Sequence, residues 1–346
     1  MFDLGLPPWG NIAVLLVSAA VICGSGIKSA SYADRLADRS GLGEALTGTI
    51  MLGFLTALPG LAASVMAALN GQAGLAIHNA MGGIAIQTVA LAAADIAYTK
   101  ANLEHAAASA ENVVQTVILV LLLTTAMGGL TAPDVTIGHV HPATFVLFFV
   151  AAGGFVLAWR TRENPMWHPK QTEETVEDVP EPRHEGESLR RLVTMLGIAA
   201  VITGIAGAAV AESAGALREQ TNLSEAVVGG LIMALATSIP ELVTSIAAVR
   251  RGALTLAVSD IVGGNFFDVL FIAAADLTYF SGSIYHTDGV GPDDYFLTVL
   301  TILLNVIFLL GLVCRQKRGP VNIGFESVSM LITYICGFLI VTMAMQ

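Results

Sequence analysis

The chain carries one apolar stretch twice. Ala45–Tyr98 and Ala226–Tyr279 align without a gap at a constant offset (240 − 59 = 181), which pairs Thr56 with Thr237 and Pro59 with Pro240. The same register pairs Ser64 with Ser245, Gly82-Gly83 with Gly263-Gly264, and Asp95 with Asp276. Matched alanines and glycines carry little weight in so biased a composition. A Thr-x-x-Pro and a Gly-Gly doublet in one register do not arise from composition. The chain must therefore fold as two copies of one unit, each built around a proline-containing apolar helix.

Of 346 residues, 55% are hydrophobic and only 12% charged, against about 25% charged in average soluble domains. Stretches long enough to cross a bilayer, roughly 17–25 residues, fall near 11–30, 44–69, 73–98, 111–130, 142–160, 191–212, 226–250, 253–280, 293–314 and 324–344. The expected fold is an all-α integral membrane protein of ten transmembrane helices. Its first five-helix repeat is 1–160, a polar linker is 161–190, and its second five-helix repeat is 191–346. The linker contains the acidic run Glu173, Glu174, Glu177 and Asp178 together with several prolines, and reads as a solvated tether.

Counted across these ten spans, every Lys and Arg except Arg218 falls on one side. Basic loops stay in the cytoplasm, so both termini are expected on the extracytoplasmic side of a cell membrane. Five spans per half then force the second repeat to enter upside down. Inverted repeats with interrupted helices near the midplane are the architecture of many secondary transporters. The three cysteines, Cys23, Cys314 and Cys336, are widely spaced and read as small apolar packing residues.

The second copy holds ionisable groups in apolar surroundings: Glu241, Asp260 and Asp268. Such groups are costly at membrane depth and mark pathways or binding sites. Pro240 removes a backbone donor directly before Glu241 and breaks or kinks its helix. Thr237, Glu241 and Ser245 recur every four residues on one helical face, as do Asp260, Gly264 and Asp268, with Asn265 adjacent. Carboxylates, hydroxyls and bare carbonyls make a hard oxygen environment suited to Ca2+ or Na+. A helix-packing seam with Ser/Thr hydrogen bonds accounts for Thr244 and Ser245 equally well. No Walker A motif, nucleophile elbow or His-Glu-x-x-His is present. The expectation is a protein without catalytic chemistry, cofactor or nucleic-acid partner, whose ligand is an inorganic cation.

The segment GLIMALATSIPELVTSIAAVRRG and the downstream VGGNFFDVL resemble the alpha repeat of the cation/calcium exchanger superfamily, the sodium/calcium and calcium/proton antiporters. LTALPG and HNAMGG resemble it more weakly in the first copy. The resemblance implies a secondary active antiporter exchanging Ca2+ (or Na+) against Na+ or H+ by alternating access. It also implies that Glu241 and Asp268 ligate the cation, with Thr237 and Ser238 at an unwound turn, Asn265 beside them, and Thr56 and Gln87 from the first half.

Departures from the family pattern are concentrated in that first half. Gly60 stands where the family has a glutamate, Gly83 and Gly264 where it has serine, Gln87 opposite Asp268, and Ile84 opposite Asn265. A transport-inactive sensor or scaffold relative is the alternative these departures raise. On the antiporter reading, a carboxylate restored at position 60 is expected to tighten Ca2+ binding. His78 reads as a loop or capping histidine, with proton carriage as the second option.

Overall fold

The computed structural model describes residues 5–40, 53–98, 100–175, 188–221, 223–252, 254–319 and 323–344. All its regular elements are helices: α1 (Pro8–Ser40), α2 (Gly53–Leu69), α3 (Ala73–Ala97), the short α4 (Leu103–Ala106), α5 (Ala110–Thr131), α6 (Pro142–Glu163), α7 (Leu189–Gln220), α8 (Glu225–Thr237), α9 (Ile239–Arg251), α10 (Leu254–Thr278), α11 (Pro292–Cys314) and α12 (Phe325–Ala344). Among the described residues eight helices are long and apolar enough to cross a membrane, or nine when the bent pair α8–α9 is one span. The expected span 44–69 is represented by the 17-residue α2, and its residues 44–52 lie outside the described ones.

The outer surface is apolar to a degree no water-soluble bundle shows, and a set of polar side chains is buried. Phe149, Leu16 and Val201 are exposed at 80%, 62% and 62%, whereas Asn79, Gln87, Glu241 and Asp268 are buried. Apolar side chains turned outward and polar ones turned inward are what a hydrocarbon solvent selects. The centre is formed by α3 and α10, whose spanning windows are 67% and 78% buried, against 22–50% for the other six.

The two longest helices, α1 and α7, pack along each other. Asn11 Nδ2 donates to Gln220 Oε1 at 3.1 Å, and Ser25 and Thr203 share a buried hydroxyl contact of 2.6 Å. Between α3 and α8 the approach is backbone to backbone: a Cβ on Gly82 would overlap the Gly230 carbonyl. Only glycine fits there.

The repeat is visible in the hydrogen bonds. Ser64 Oγ donates to the Ala76 carbonyl (3.3 Å) and Ser245 Oγ to the Ala257 carbonyl (3.4 Å). Asp95 accepts from the Leu103 N–H (2.7 Å), the Gly324 N–H (3.0 Å) and Ser327 Oγ (2.8 Å). Asp276 accepts from the Ile284 N–H (2.9 Å), the His141 N–H (2.8 Å) and Thr144 Oγ1 (2.6 Å). Asp95 thus caps the turn after α3 and the start of α12, and Asp276 the turn after α10 and the start of α6. The tether reading of the linker needs correction over its first part. His105 Nε2 contacts Thr172 Oγ1 (2.9 Å), Arg315 donates to the Lys170 carbonyl (2.7 Å), and Lys317 pairs with Glu174 (2.6 Å). Glu177 and Asp178 lie outside the described residues.

A candidate cation site at the helix break

The α8–α9 pair bends by 48°. Its first half contains a π turn, Val228–Met233, a local defect often found at functional sites. Ser238 then leaves helical geometry (φ −89°, ψ 3°), and Pro240 opens α9 in its first turn. Pro240 lacks the N–H that an unbroken helix would direct at the Ala236 carbonyl. Ser238 Oγ accepts from Gln87 Nε2 at 3.1 Å, which ties the broken turn to α3. The matching Pro59 sits within an uninterrupted α2, where Ala57 replaces the serine and offers no such acceptor.

Ala57, Gly60, Asn79, Gly83, Gln87, Thr237, Ser238, Glu241, Asp268 and Phe271 surround one narrow cleft, closed too tightly to admit a water-sized sphere. Five of the seven residues singled out in the sequence therefore meet here: Thr237, Ser238, Glu241, Asp268 and Gln87. Thr56 joins from behind, hydrogen-bonding Glu241. Asn265 is not in the lining; its Nδ2 donates to Thr88 Oγ1 (3.1 Å), which contacts Asn305 Oδ1 (3.3 Å). At the centre Gln87 Nε2 donates to Asp268 Oδ2 at 2.8 Å. These two residues are equivalent in the repeat (268 − 87 = 181), so the two halves touch through matching positions.

Glu241 and Asp268 are 1% and 2% exposed. Glu241 Oε2, Gln87 Oε1 and Asn265 Oδ1 have no hydrogen-bond partner. Leaving a buried polar group unsatisfied costs about 1–3 kcal/mol, more when it is charged. The Glu241 and Gln87 oxygens belong to residues of the cleft lining, and oxygens there without a donor suit a hard cation.

Asn79 was not legible as a site residue. Its Nδ2 donates to the Gly60 carbonyl (3.2 Å) and Ser64 Oγ (2.9 Å), and its Oδ1 accepts from Thr237 Oγ1 (3.2 Å). Its repeat equivalent Asp260 accepts from Thr244 (2.6 Å) and Ser245 (3.3 Å), so those two hydroxyls serve Asp260. Phe271 was missed as well. A Cβ on Gly60 would lie 2.5 Å from the Phe271 ring, so the ring occupies the space a side chain there would need. Position 90, its equivalent, is alanine; the exchange of Ala90 for Phe271 was the available signal. The Phe271 ring therefore stands in the way of the Gly60→Glu change expected to tighten Ca2+ binding.

His78 is neither loop nor cap. It lies within α3, fully buried, with Nδ1 2.7 Å from the Gly74 carbonyl and 3.3 Å from Asp294 Oδ1, and Nε2 3.6 Å from Asp293 Oδ2.

The model of the sodium/calcium exchanger protein family matches residues 10–159 and 191–343. The chain belongs to that family. It is 26% identical to the inner membrane protein YrbG of Escherichia coli (strain K12) over 310 residues, 89% of each chain. It is 24% identical to the putative antiporter CaxA of Alkalimonas amylolytica, covering 88% of this chain and 92% of that one. Its fold is similar to that of the H+/Ca2+ exchanger CAX (TM-score 0.70, 15% identity, 95% of this chain and 82% of that one). It is likewise similar to the sodium-calcium exchanger NCX_Mj (TM-score 0.61, 16% identity, 96% and 99%). The protein is thus a multi-pass membrane protein of a transporter family, not an enzyme.

Proposed function

We propose that the chain is a secondary active cation antiporter, moving Ca2+ or Na+ against Na+ or H+ by alternating access. The observation that carries this reading is the cleft at the α8–α9 break. Two buried carboxylates, Glu241 and Asp268, line it beside acceptor oxygens that have no donor. Two carboxylates balance the charge of one divalent ion, and Thr237, Ser238, Thr56 and Gln87 add neutral oxygens. Asn265 acts one layer out, through Thr88. The cation is the ligand, and no cofactor takes part.

The topology proposed with it is ten spans in two inverted five-helix halves, 1–160 and 191–346, joined by the linker 161–190. Support comes from helix direction. Asn11 meets Gln220 while Ser25 meets Thr203, so α1 and its counterpart α7 run oppositely. Gly53 lies against Gly263 and Gly60 against Phe271, so α10 runs with α2; Ser64 meets Ala76 and Gly60 meets Asn79, so α3 runs against α2 and therefore against its counterpart α10. With basic loops cytoplasmic, the termini are outside a bacterial inner or plasma membrane.

Phe271 favours a second reading, a transport-inactive relative, because its ring fills the place of a first-half ligand. Flux in proteoliposomes, with Ca2+, Na+, K+ and pH gradients imposed in turn, separates the two. The antiporter reading expects one cation to move against another and Glu241→Gln and Asp268→Asn each to abolish it. No flux under any gradient, from protein that remains folded, favours the inactive relative.

A further inference from the structure

A second cluster of carboxylates lies away from the cleft. Asp95, at the end of α3, Glu104, on α4, and Glu326, in the first turn of α12, are 0%, 1% and 1% exposed. One oxygen of each lies within 4.8 Å of the others. Asp95 is held by the Leu103 and Gly324 N–H groups and Ser327. Glu104 and Glu326 lie against each other, with all four carboxylate oxygens buried and no other residue's side chain donating to them. The neighbouring cationic side chains are engaged elsewhere, Arg315 with the Lys170 and His105 carbonyls, Lys317 with Glu174, Arg318 with the Lys100 carbonyl.

The repeat shows that the fold does not require these acids. At the equivalent place Asp276 makes the same three kinds of hydrogen bond, but the residue matching Glu104 is Tyr285 (285 − 104 = 181). The Gly324/His141 and Ser327/Thr144 pairs share an offset of 183 (324 − 141), which sets Ala143 opposite Glu326. One end of the molecule is therefore capped by neutral side chains, and the other by two added carboxylates. The chain also makes room for them. A Cβ on Gly324 would overlap Glu326 Oε1, and one on Gly311 would lie 2.6 Å from Glu326 Cγ.

We infer that Asp95, Glu104 and Glu326 form a second cation site, separate from the central cleft, that binds a hard divalent cation such as Ca2+. Three carboxylates offer oxygen ligands of the type Ca2+ takes, and a divalent charge relieves the repulsion among them. Burial, Glu326 and Asp95 otherwise hold the Glu104 carboxyl well above the usual carboxylate range. A bound ion would clamp the 100–109 segment after α3 to the start of α12.

The test is Ca2+ titration calorimetry and thermal melting of full-length protein in detergent at neutral pH, with the cleft disabled by Glu241→Gln/Asp268→Asn. That variant is expected to bind one Ca2+ per chain and to melt higher in Ca2+. Adding Glu104→Gln/Glu326→Gln is expected to remove both effects, and Glu104→Gln alone to weaken binding at least tenfold. The result with the cleft disabled does not depend on the triad variants folding. Folded protein with the cleft disabled that binds no Ca2+ overturns the site. So does binding that survives in the four-fold variant, which would place the ion elsewhere. A gain in melting temperature from Glu104→Gln/Glu326→Gln without any Ca2+ binding shows that the triad holds protons, and also overturns it.

Discussion

Gly60 and Phe271 act as one position. With a 2.5 Å approach between a Cβ at 60 and the ring, Gly60→Glu alone forces the ring aside. Overpacking of this kind costs about 1–3 kcal/mol, so a lower melting temperature and no gain in Ca2+ affinity are expected. Gly60→Glu/Phe271→Ala gives the carboxylate its space and should recover the stability and tighten Ca2+ binding. Tighter Ca2+ binding by Gly60→Glu without the second change would show that the ring is no obstacle. Gln87 offers a second residue-scale test. Its Nε2 donates to both Asp268 and Ser238, and Gln87→Leu leaves both acceptors bare. The expected loss is about 1–3 kcal/mol or more, read by denaturation in detergent; an unchanged midpoint would mean that the bridge contributes nothing.

At the scale of elements, the break between α8 and α9 depends on more than proline. Pro59 and Pro240 occupy the same register, yet among the described residues only the second stands at a break between two helices. The difference visible among the described residues is Ser238, held by Gln87, where the first copy has Ala57; a π turn precedes the break. That turn is packed on α3 at Gly82 without room for a side chain. Gly82→Ala is therefore expected to push α3 and α8 apart and to cost about 1–3 kcal/mol, and Gly82→Val to prevent folded protein from accumulating. Size-exclusion profiles and melting of the two variants check this, and a wild-type melting temperature for Gly82→Val would contradict it.

Across the whole molecule, Asp95 at the end of α3 reaches the start of α12 and Asp276 at the end of α10 reaches the start of α6. Asp276→Ala frees two buried N–H groups and a hydroxyl and is expected to cost about 3 kcal/mol or more, lowering the melting temperature while leaving the cleft residues in place. The proposed orientation has its own test in chains whose native cysteines are replaced. A membrane-impermeant maleimide added outside intact cells should label Asp134→Cys and Asp288→Cys but not Lys170→Cys or Lys317→Cys. Labelling of all four from one side would refute the inverted arrangement.

The sequence by itself determined the all-helical membrane class, the duplication and its register, the helix break at Pro240, and five of the residues around the cleft. Those features are written locally: apolar length sets a span, proline removes a donor, and a carboxylate in an apolar run is conspicuous. Only the tertiary structure decided what the remaining positions do. That Asn265 turns away to Thr88, that Asn79 turns in, that the Phe271 ring lies against Gly60, and that His78 is buried beside two aspartates all depend on which helix faces lie together. So does the triad of Asp95, Glu104 and Glu326, whose members are more than 200 residues apart at the extremes (326 − 95 = 231). Distances between helices are set by packing over the whole bundle, and no periodicity along one segment encodes them.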